Sequence, residues 1–131
     1  MDKQSLLLVV DEDPNFQEIF SKRLTAEGFE VAHASNGAEA IEKAKAIKPS
    51  LVLMDVKMPG MDGVETFMKM REDPETKDIR VVFLTSFGNP EEGIQNLNSR
   101  FSEEIGALGY IQKTEDLDNI VSKVKSFTQP A

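Results

Sequence analysis

The apolar run over residues 51–54, which ends directly in Asp55, constrains the fold of this chain more than any other stretch. Four consecutive apolar residues predict a strand covered on both faces, as in the centre of a parallel sheet. Asp55 then stands at the carboxyl end of that strand, the edge where open α/β sheets bind ligands. A Pro-Gly turn follows, and Asp62 can cap a helix that begins near Gly63. This pattern predicts a carboxylate that is available for chemistry.

The same pairing of a strand with a helix recurs along the chain. Four further strands are predicted at residues 6–10, 29–34, 81–84 and 108–112. Each strand is followed by apolar residues at helical spacing, such as Phe16, Ile19, Phe20 and Leu24 in the first helix and residues 89–106 in the fourth. Five strands alternating with five helices predict a flavodoxin-like, doubly wound parallel α/β sheet of order 2-1-3-4-5, with the three most apolar strands in the middle.

Length and charge limit the functional classes. A chain of 131 residues fits one domain, with its core in about residues 5–127. The formal charge is −8, so we expect no direct binding to nucleic acid. No apolar run approaches the ~20 residues of a membrane span, and no signal-peptide core follows the N-terminus. We therefore expect a cytoplasmic protein that does not act at a membrane. Without cysteine, a disulfide framework or a thiol nucleophile is excluded.

Polar residues suited to phosphoryl chemistry follow the predicted strands at their carboxyl ends. Asp11 and Glu12 follow the first strand, Asp55 the third, Thr85 the fourth and Lys113 the fifth. In the proposed sheet these ends share one rim, where packed carboxylates repel each other unless a cation joins them. Mg²⁺ accepts such hard oxygen ligands, and a lysine with a hydroxyl can bind phosphoryl oxygens. The set predicts a phosphoryl-transfer site with an aspartate nucleophile.

Four motifs in combination carry a resemblance to a known family. They are VVDE at residues 9–12, LMDVKMPGMDG at 53–63, LTS at 84–86 and GYIQK at 109–113. Over essentially the whole chain, residues 1–131, the sequence closely resembles the receiver domains of two-component response regulators, in particular the single-domain, chemotaxis-regulator type. Its implied activity is self-catalysed aspartyl phosphorylation and dephosphorylation, which is not the turnover of a conventional enzyme.

The resemblance implies roles for the acidic residues. Asp55 would be the phosphoacceptor, which takes a phosphoryl group from a phosphohistidine on a sensor histidine kinase or a phosphotransfer protein. Asp11, Glu12 and Asp55 would bind Mg²⁺, and the backbone carbonyl of Lys57 would be a further ligand. The chain would thus act as a phosphoacceptor module in a two-component phosphorelay.

It also implies how phosphorylation is sensed. Thr85 and Lys113 would contact the phosphoryl group, and Tyr110 would be an aromatic switch that turns inward when Thr85 moves. The surface of the fourth helix, fifth strand and fifth helix would then bind a downstream protein, and phosphorylation could also promote a dimer.

Two residues and one interval near the site differ from, or vary within, the family pattern. Thr114 follows Lys113 where the family usually has a proline after a cis bond, and because a non-proline cis bond costs ~3 kcal/mol, a trans bond is favoured here. The interval from Thr85 to Lys113 is longer than the family usually shows. The extra residues would lengthen the fourth helix or the loop before it, on the surface that would bind the downstream protein. Phe87, two residues after Thr85, has a bulky ring that can hinder attacking water, which predicts slow self-dephosphorylation.

Two other functions are compatible with parts of the sequence. Asp11-Glu12-Asp13 matches the bare Asp-x-Asp of haloacid-dehalogenase-like phosphatases, although Pro14 follows where a Thr or Val is usual and Asp55 would have no role. A receiver-like scaffold that binds partners without phosphorylation is the third possibility. Turnover of a phosphomonoester would favour the phosphatase, stoichiometric labelling of Asp55 the receiver, and no reaction the scaffold.

Overall fold

The structure, a computed structural model, describes residues 5–58, 60–85 and 108–128. These ranges contain the strands β1 (Leu6–Val10), β2 (Glu30–Ala34), β3 (Leu51–Asp55), β4 (Val81–Thr85) and β5 (Gly109–Gln112). They also contain the helices α1 (Pro14–Ala26), α2 (Gly37–Ile47) and α3 (Gly63–Glu72), and a C-terminal helix, Leu117–Thr128. The predicted fourth helix at 89–106, the lengthened interval in which it falls, and Phe87 lie outside the described residues.

The five strands form one parallel sheet in the order β2-β1-β3-β4-β5, which confirms the predicted topology. β3 and β4 are buried along their whole length, whereas the edge strands β2 and β5 are partly exposed. The central strands are continuous apolar runs because helices cover both of their faces.

The strand register sets the level at which the strands end. Asp55 lies opposite Leu84, and Thr85 lies opposite Gln112. The carboxyl ends of β3, β4 and β5 therefore finish at nearly the same level, and Lys113 follows directly after the last of them.

Successive side chains of each strand enter two apolar layers on opposite faces of the sheet. In β1, Leu8 and Val10 pack with α2 and α3, whereas Leu7 and Val9 pack with α1 and the C-terminal helix. None of the helices in the described ranges has both the length and the apolar character that crossing a bilayer requires.

Three helices begin at side-chain caps just downstream of a strand. Asp13 accepts hydrogen bonds from the backbone N–H groups of Asn15 and Phe16 at the start of α1, and Pro14 suits the first helical position. Asn36 and Asp62 cap α2 and α3 in the same way. These caps fix where each helix begins after its strand.

The buried face of α1 differs from its apolar pattern. Ile19 is 59% exposed, and the residues of α1 that are buried are Gln17, Phe20, Ser21 and Leu24. Two polar residues therefore replace Ile19 on the side of the helix that packs against the sheet.

Candidate functional site

Two buried carboxylates meet at the carboxyl ends of β1 and β3. Asp11 directly follows β1 and is 1% exposed, and Asp55 is the last residue of β3 and is 5% exposed. The backbone N–H of Asp11 donates to the carbonyl of Ala34 at 3.0 Å, and Oδ1 of Asp11 accepts from the N–H of Asp13 at 2.8 Å. Oδ1 of Asp55 accepts from the N–H of Lys57 at 3.3 Å. Backbone groups therefore orient both carboxylates.

The ammonium group of Lys113 lies close to both of these acids. Its Nζ atom is 2.5 Å from Oδ2 of Asp11 and 3.6 Å from Oδ2 of Asp55. The same atom lies over the ring of Phe16, 4.4 Å from its centre, where an aromatic face attracts a cation. The backbone N–H of Lys113 donates to the carbonyl of Thr85 at 2.6 Å. One ammonium thus faces two carboxylates, and the trio retains a net negative charge when all three groups are ionised.

The electrostatic consequence is largest for Asp55. Burial, followed by the charge of Asp11, raises the pKa of Asp55 from 3.8 to about 6, and the Lys113 ammonium and the Lys57 N–H oppose that rise. Loss of water and a neighbouring like charge both disfavour the ionised form. A further cation at this position would relieve both effects.

The acid pair fits a hard divalent cation. Mg²⁺ binds through one or two carboxylates, retains several waters and accompanies phosphate. The third predicted acid, Glu12, is exposed. Across residues 5–58, 60–85 and 108–128, no three acidic, histidine or cysteine side chains are arranged to hold a metal ion. The structure therefore brings Asp11 and Asp55 together with Lys113 and leaves Glu12 at the surface.

Thr85 contributes a buried hydroxyl at the end of β4. The residue is 1% exposed, and its Oγ1 atom has no hydrogen-bond partner among the described residues. An unpaired buried hydroxyl is costly, so a ligand oxygen at this position would be stabilised. Tyr110, in the neighbouring strand β5, is half-buried, lies opposite Phe83 and packs against the apolar layer under α2 and α3.

The backbone after β3 is tightly packed against the start of α3. Val56 donates to the carbonyl of Leu84 at 3.0 Å, and Gly63 donates to the carbonyl of Val56 at 2.8 Å. A Cβ atom on Gly63 would lie 2.1 Å from the carbonyl oxygen of Asp55, so only glycine fits there. All peptide bonds within the described ranges are trans, including the one between Lys113 and Thr114.

Sequence reasoning missed one buried residue beside the site, Gln17. Its Nε2 atom lies 3.0 Å from each of the carbonyl oxygens of Val9, Asp11 and Ala34. The available signal was positional, because Gln17 precedes the core residues Phe20 and Leu24 by three and seven positions, the spacing of one helical face. Its polarity concealed that pattern.

Known proteins resemble this chain in sequence over most of its length. A family model described as the response regulator receiver domain matches residues 7–125. Sporulation initiation phosphotransferase F of Bacillus subtilis is 34% identical over 121 residues, which cover 92% of this chain and 91% of that protein. Response regulator PleD of Caulobacter vibrioides is 35% identical over 123 residues, which cover 94% of this chain and only 26% of PleD.

Solved structures resemble the whole fold. Chemotaxis protein CheY4 of Vibrio cholerae has 25% sequence identity and a TM-score of 0.81, with 95% of this chain and 99% of that chain covered. A CheY-like receiver domain protein of Methanospirillum hungatei has 25% identity and a TM-score of 0.80, with 96% and 94% covered. The likeness in three dimensions therefore extends well beyond the residues of the site.

Proposed function

The chain belongs to the response regulator receiver domain family of two-component systems, and from that membership we propose that Asp55 accepts a phosphoryl group in a Mg²⁺-dependent reaction. The donor would be a phosphohistidine on a sensor histidine kinase or on a phosphotransfer protein, in the cytoplasm. A carboxylate oxygen of Asp55 attacks phosphorus, and the imidazole departs with the electrons of the broken P–N bond. The observation that carries the proposal is Asp55 itself, a buried carboxylate beside Asp11 and the ammonium of Lys113.

We assign the Mg²⁺ ligands to Asp11 and Asp55, with Glu12 and the backbone carbonyl of Lys57 as further ligands. When bound, the ion would neutralise charge on the phosphoryl oxygens. The support is the pair of buried carboxylates that share one ammonium. Two carboxylates are an adequate protein anchor for Mg²⁺, which keeps much of its water shell.

The phosphoryl group itself would contact Thr85 and Lys113. The hydroxyl of Thr85 has no partner among the described residues, and the ammonium of Lys113 is already near the nucleophile. Both groups can donate hydrogen bonds to phosphoryl oxygens in the transition state and in the product. Movement of Thr85 towards the phosphoryl group would let Tyr110 turn inward.

The signal would leave through the surface of the predicted fourth helix, β5 and the C-terminal helix, towards a downstream protein or a second phosphorylated copy. The ring of Phe87 would slow hydrolysis of the aspartyl phosphate. Replacing Phe87 by alanine should then shorten the lifetime of the phosphorylated protein several-fold, and an unchanged lifetime would remove this residue from the proposal.

Intact mass after incubation with acetyl phosphate and Mg²⁺ tests the proposed function directly. We expect one added phosphoryl group, which disappears in Asp55→Asn and in EDTA and persists in Asp78→Asn, a variant of an exposed aspartate. An absent adduct, combined with no binding of beryllofluoride, would contradict the proposal and favour the scaffold. Continuous hydrolysis of a phosphomonoester would favour a phosphatase.

A further inference from the structure

Gln17 connects the ends of two strands through a single side-chain nitrogen. Nε2 lies 3.0 Å from the carbonyl oxygens of Val9, Asp11 and Ala34. Val9 belongs to β1, Asp11 follows it, and Ala34 ends β2. With 8% of its surface exposed, Gln17 makes these contacts from the buried face of α1.

The bond from Gln17 to the Asp11 carbonyl matters because strand pairing alone does not hold the backbone of Asp11. Pairing between β1 and β3 ends at Val10, opposite Met54. Beyond that point the N–H of Asp11 still bonds to Ala34, and its carbonyl bonds to the side chain of Gln17. A buried backbone carbonyl requires a donor, and Gln17 supplies it at the residue where β1 leaves the sheet.

The orientation of the Asp11 carboxylate depends on the backbone on both sides of its Cα atom, where Ala34 accepts from the N–H and Gln17 donates to the carbonyl. Oδ1 accepts a hydrogen bond from the N–H of Asp13, and Oδ2 contacts Lys113. A rotation of the Asp11 backbone would disturb both contacts together. Gln17 therefore affects the position of the carboxylate through the Asp11 backbone and not by direct contact.

Burial leaves part of the Gln17 amide unsatisfied, and the bonds of its donor group to the backbone must offset that cost. The two hydrogens of the amide serve three carbonyls, and Oε1 is buried with no hydrogen-bond partner among the described residues. Buried polar atoms without partners are rare in native proteins and call for an explanation. The bonds of Nε2, whose two hydrogens are shared among three carbonyls, provide one.

We propose that Gln17 is a positioning residue for the phosphoryl-transfer site, which fixes the backbone of Asp11 through the carbonyls of Asp11 and Ala34 and thereby orients the carboxylate that would bind Mg²⁺. The part that concerns Mg²⁺ rests on the proposed function. The part that concerns the Asp11 backbone does not, so the two can be tested separately.

The test compares Gln17→Met, which keeps the length of the side chain and removes its donors, with Ser21→Ala. Ser21 lies one turn later on the same buried face, and its hydroxyl pairs with Nε2 of His33 at 2.6 Å. Amide hydrogen exchange of Asp11 is measured without metal, and the dissociation constant for Mg²⁺ is measured by NMR titration. In Gln17→Met we expect exchange at Asp11 to rise by about 10-fold relative to the core amide of Leu53, and Mg²⁺ affinity to fall by about 10-fold. Ser21→Ala should change neither.

A third variant, Gln17→Lys, separates donor capacity from packing. It restores N–H donors on a longer side chain without the acceptor oxygen. We expect Asp11 exchange in Gln17→Lys to match the parent protein, and this variant carries the test if Gln17→Met does not fold.

Unchanged Asp11 exchange in Gln17→Met, or an unprotected Asp11 amide in a folded Gln17→Lys, would overturn the proposal. If the parent protein bound no Mg²⁺, the proposed function would fail, and the exchange data would still decide the role of Gln17.

Discussion

The Nζ atom of Lys113 lies 2.5 Å from Oδ2 of Asp11, a residue 102 positions earlier in the chain. The same nitrogen is 3.6 Å from Asp55, in the central strand β3. Charge balance at the site therefore depends on residues that follow or end the first, third and fifth strands of the chain.

Replacing Lys113 by methionine removes the ammonium and keeps most of the apolar stem. Two buried carboxylates then lack their cation, so in EDTA at neutral pH we expect the free energy of unfolding to fall by about 3 kcal/mol. With saturating Mg²⁺ the rate of phosphorylation should fall by about 100-fold. Urea unfolding and intact-mass time courses measure the two effects. The control is Lys77→Met at an exposed lysine, and equal rates in both variants would exclude the predicted role of Lys113.

The ring of Phe16 contacts the same ammonium, and its centre lies 4.4 Å from Nζ of Lys113. Phe16→Leu keeps an apolar side chain and removes the aromatic face, whereas Phe16→Tyr keeps that face. We expect phosphorylation to slow two- to fivefold in the leucine variant, which corresponds to about 0.5–1 kcal/mol of lost cation–π attraction, and to stay near the parent rate in the tyrosine variant. Equal rates in the two variants would show that the ring contributes only packing.

The stability of the metal-free protein should depend on pH through Asp55. The pKa of the Asp55 carboxyl is about 6 in the folded protein, whereas the unfolded chain has the ordinary value of 3.8. Between these two pH values the folded state holds a proton that the unfolded chain has lost. The free energy of unfolding therefore falls as pH rises through this window, by at most about 3 kcal/mol. Asp55→Asn avoids this loss, so it should be more stable than the parent at neutral pH and similar at about pH 4.

Urea unfolding in EDTA at both pH values measures this effect. Asp78→Asn, at an exposed aspartate, controls for a general change in charge. A gain in Asp55→Asn that has the same size at both pH values would contradict the assignment to Asp55.

Thr85→Val should separate stability from function. The valine keeps the branched shape and removes a buried hydroxyl that has no partner among the described residues. We therefore expect stability to be unchanged or higher by up to about 1 kcal/mol, while phosphorylation slows because a donor to the phosphoryl group is lost. Thermal unfolding and phosphorylation rates measure the two effects, with Thr85→Ser as the variant that keeps the hydroxyl. A clear loss of stability in Thr85→Val would mean that the hydroxyl already has a partner.

Gly63→Ala should destabilise the fold next to the nucleophile. The new Cβ would lie 2.1 Å from the carbonyl oxygen of Asp55, so α3 or the end of β3 must move. We expect a loss of about 2–4 kcal/mol, the size associated with overpacking and backbone strain. Gly28→Ala is the control, because Gly28 has φ 103° and open space around it, so it tests backbone conformation alone and should cost only about 1 kcal/mol. Equal losses would show that the steric contact at Gly63 is unimportant.

The sequence was sufficient to predict the sheet and the edge at which the polar residues after its strands lie. The runs at residues 6–10, 51–54 and 81–84 are continuous and apolar because those strands are covered on both faces, and the parallel order followed from their alternation with helices. Caps such as Asp13 and Asp62 were readable because short polar side chains before a helix satisfy its free N–H groups.

The contacts of individual side chains were not readable in the same way. Ile19 stands at helical spacing with its apolar neighbours and is nevertheless 59% exposed, whereas the polar Gln17 is buried. Hydropathy records how a side chain interacts with water and not which backbone carbonyls it can reach. For the same reason the sequence placed Asp11 and Glu12 together, although only Asp11 is buried beside Asp55.

Lys113 and Asp11, which are in contact in the folded protein, lie far apart in the chain and are therefore synthesised at different times. A ribosome makes both acids long before the lysine that balances them, because β5 is the last strand and an edge of the sheet. Domains generally fold as units, and any part-folded chain in which β1 and β3 pair before β5 docks carries two neighbouring carboxylates without their ammonium. Docking of β5 closes one side of the sheet and brings the missing positive charge in the same step.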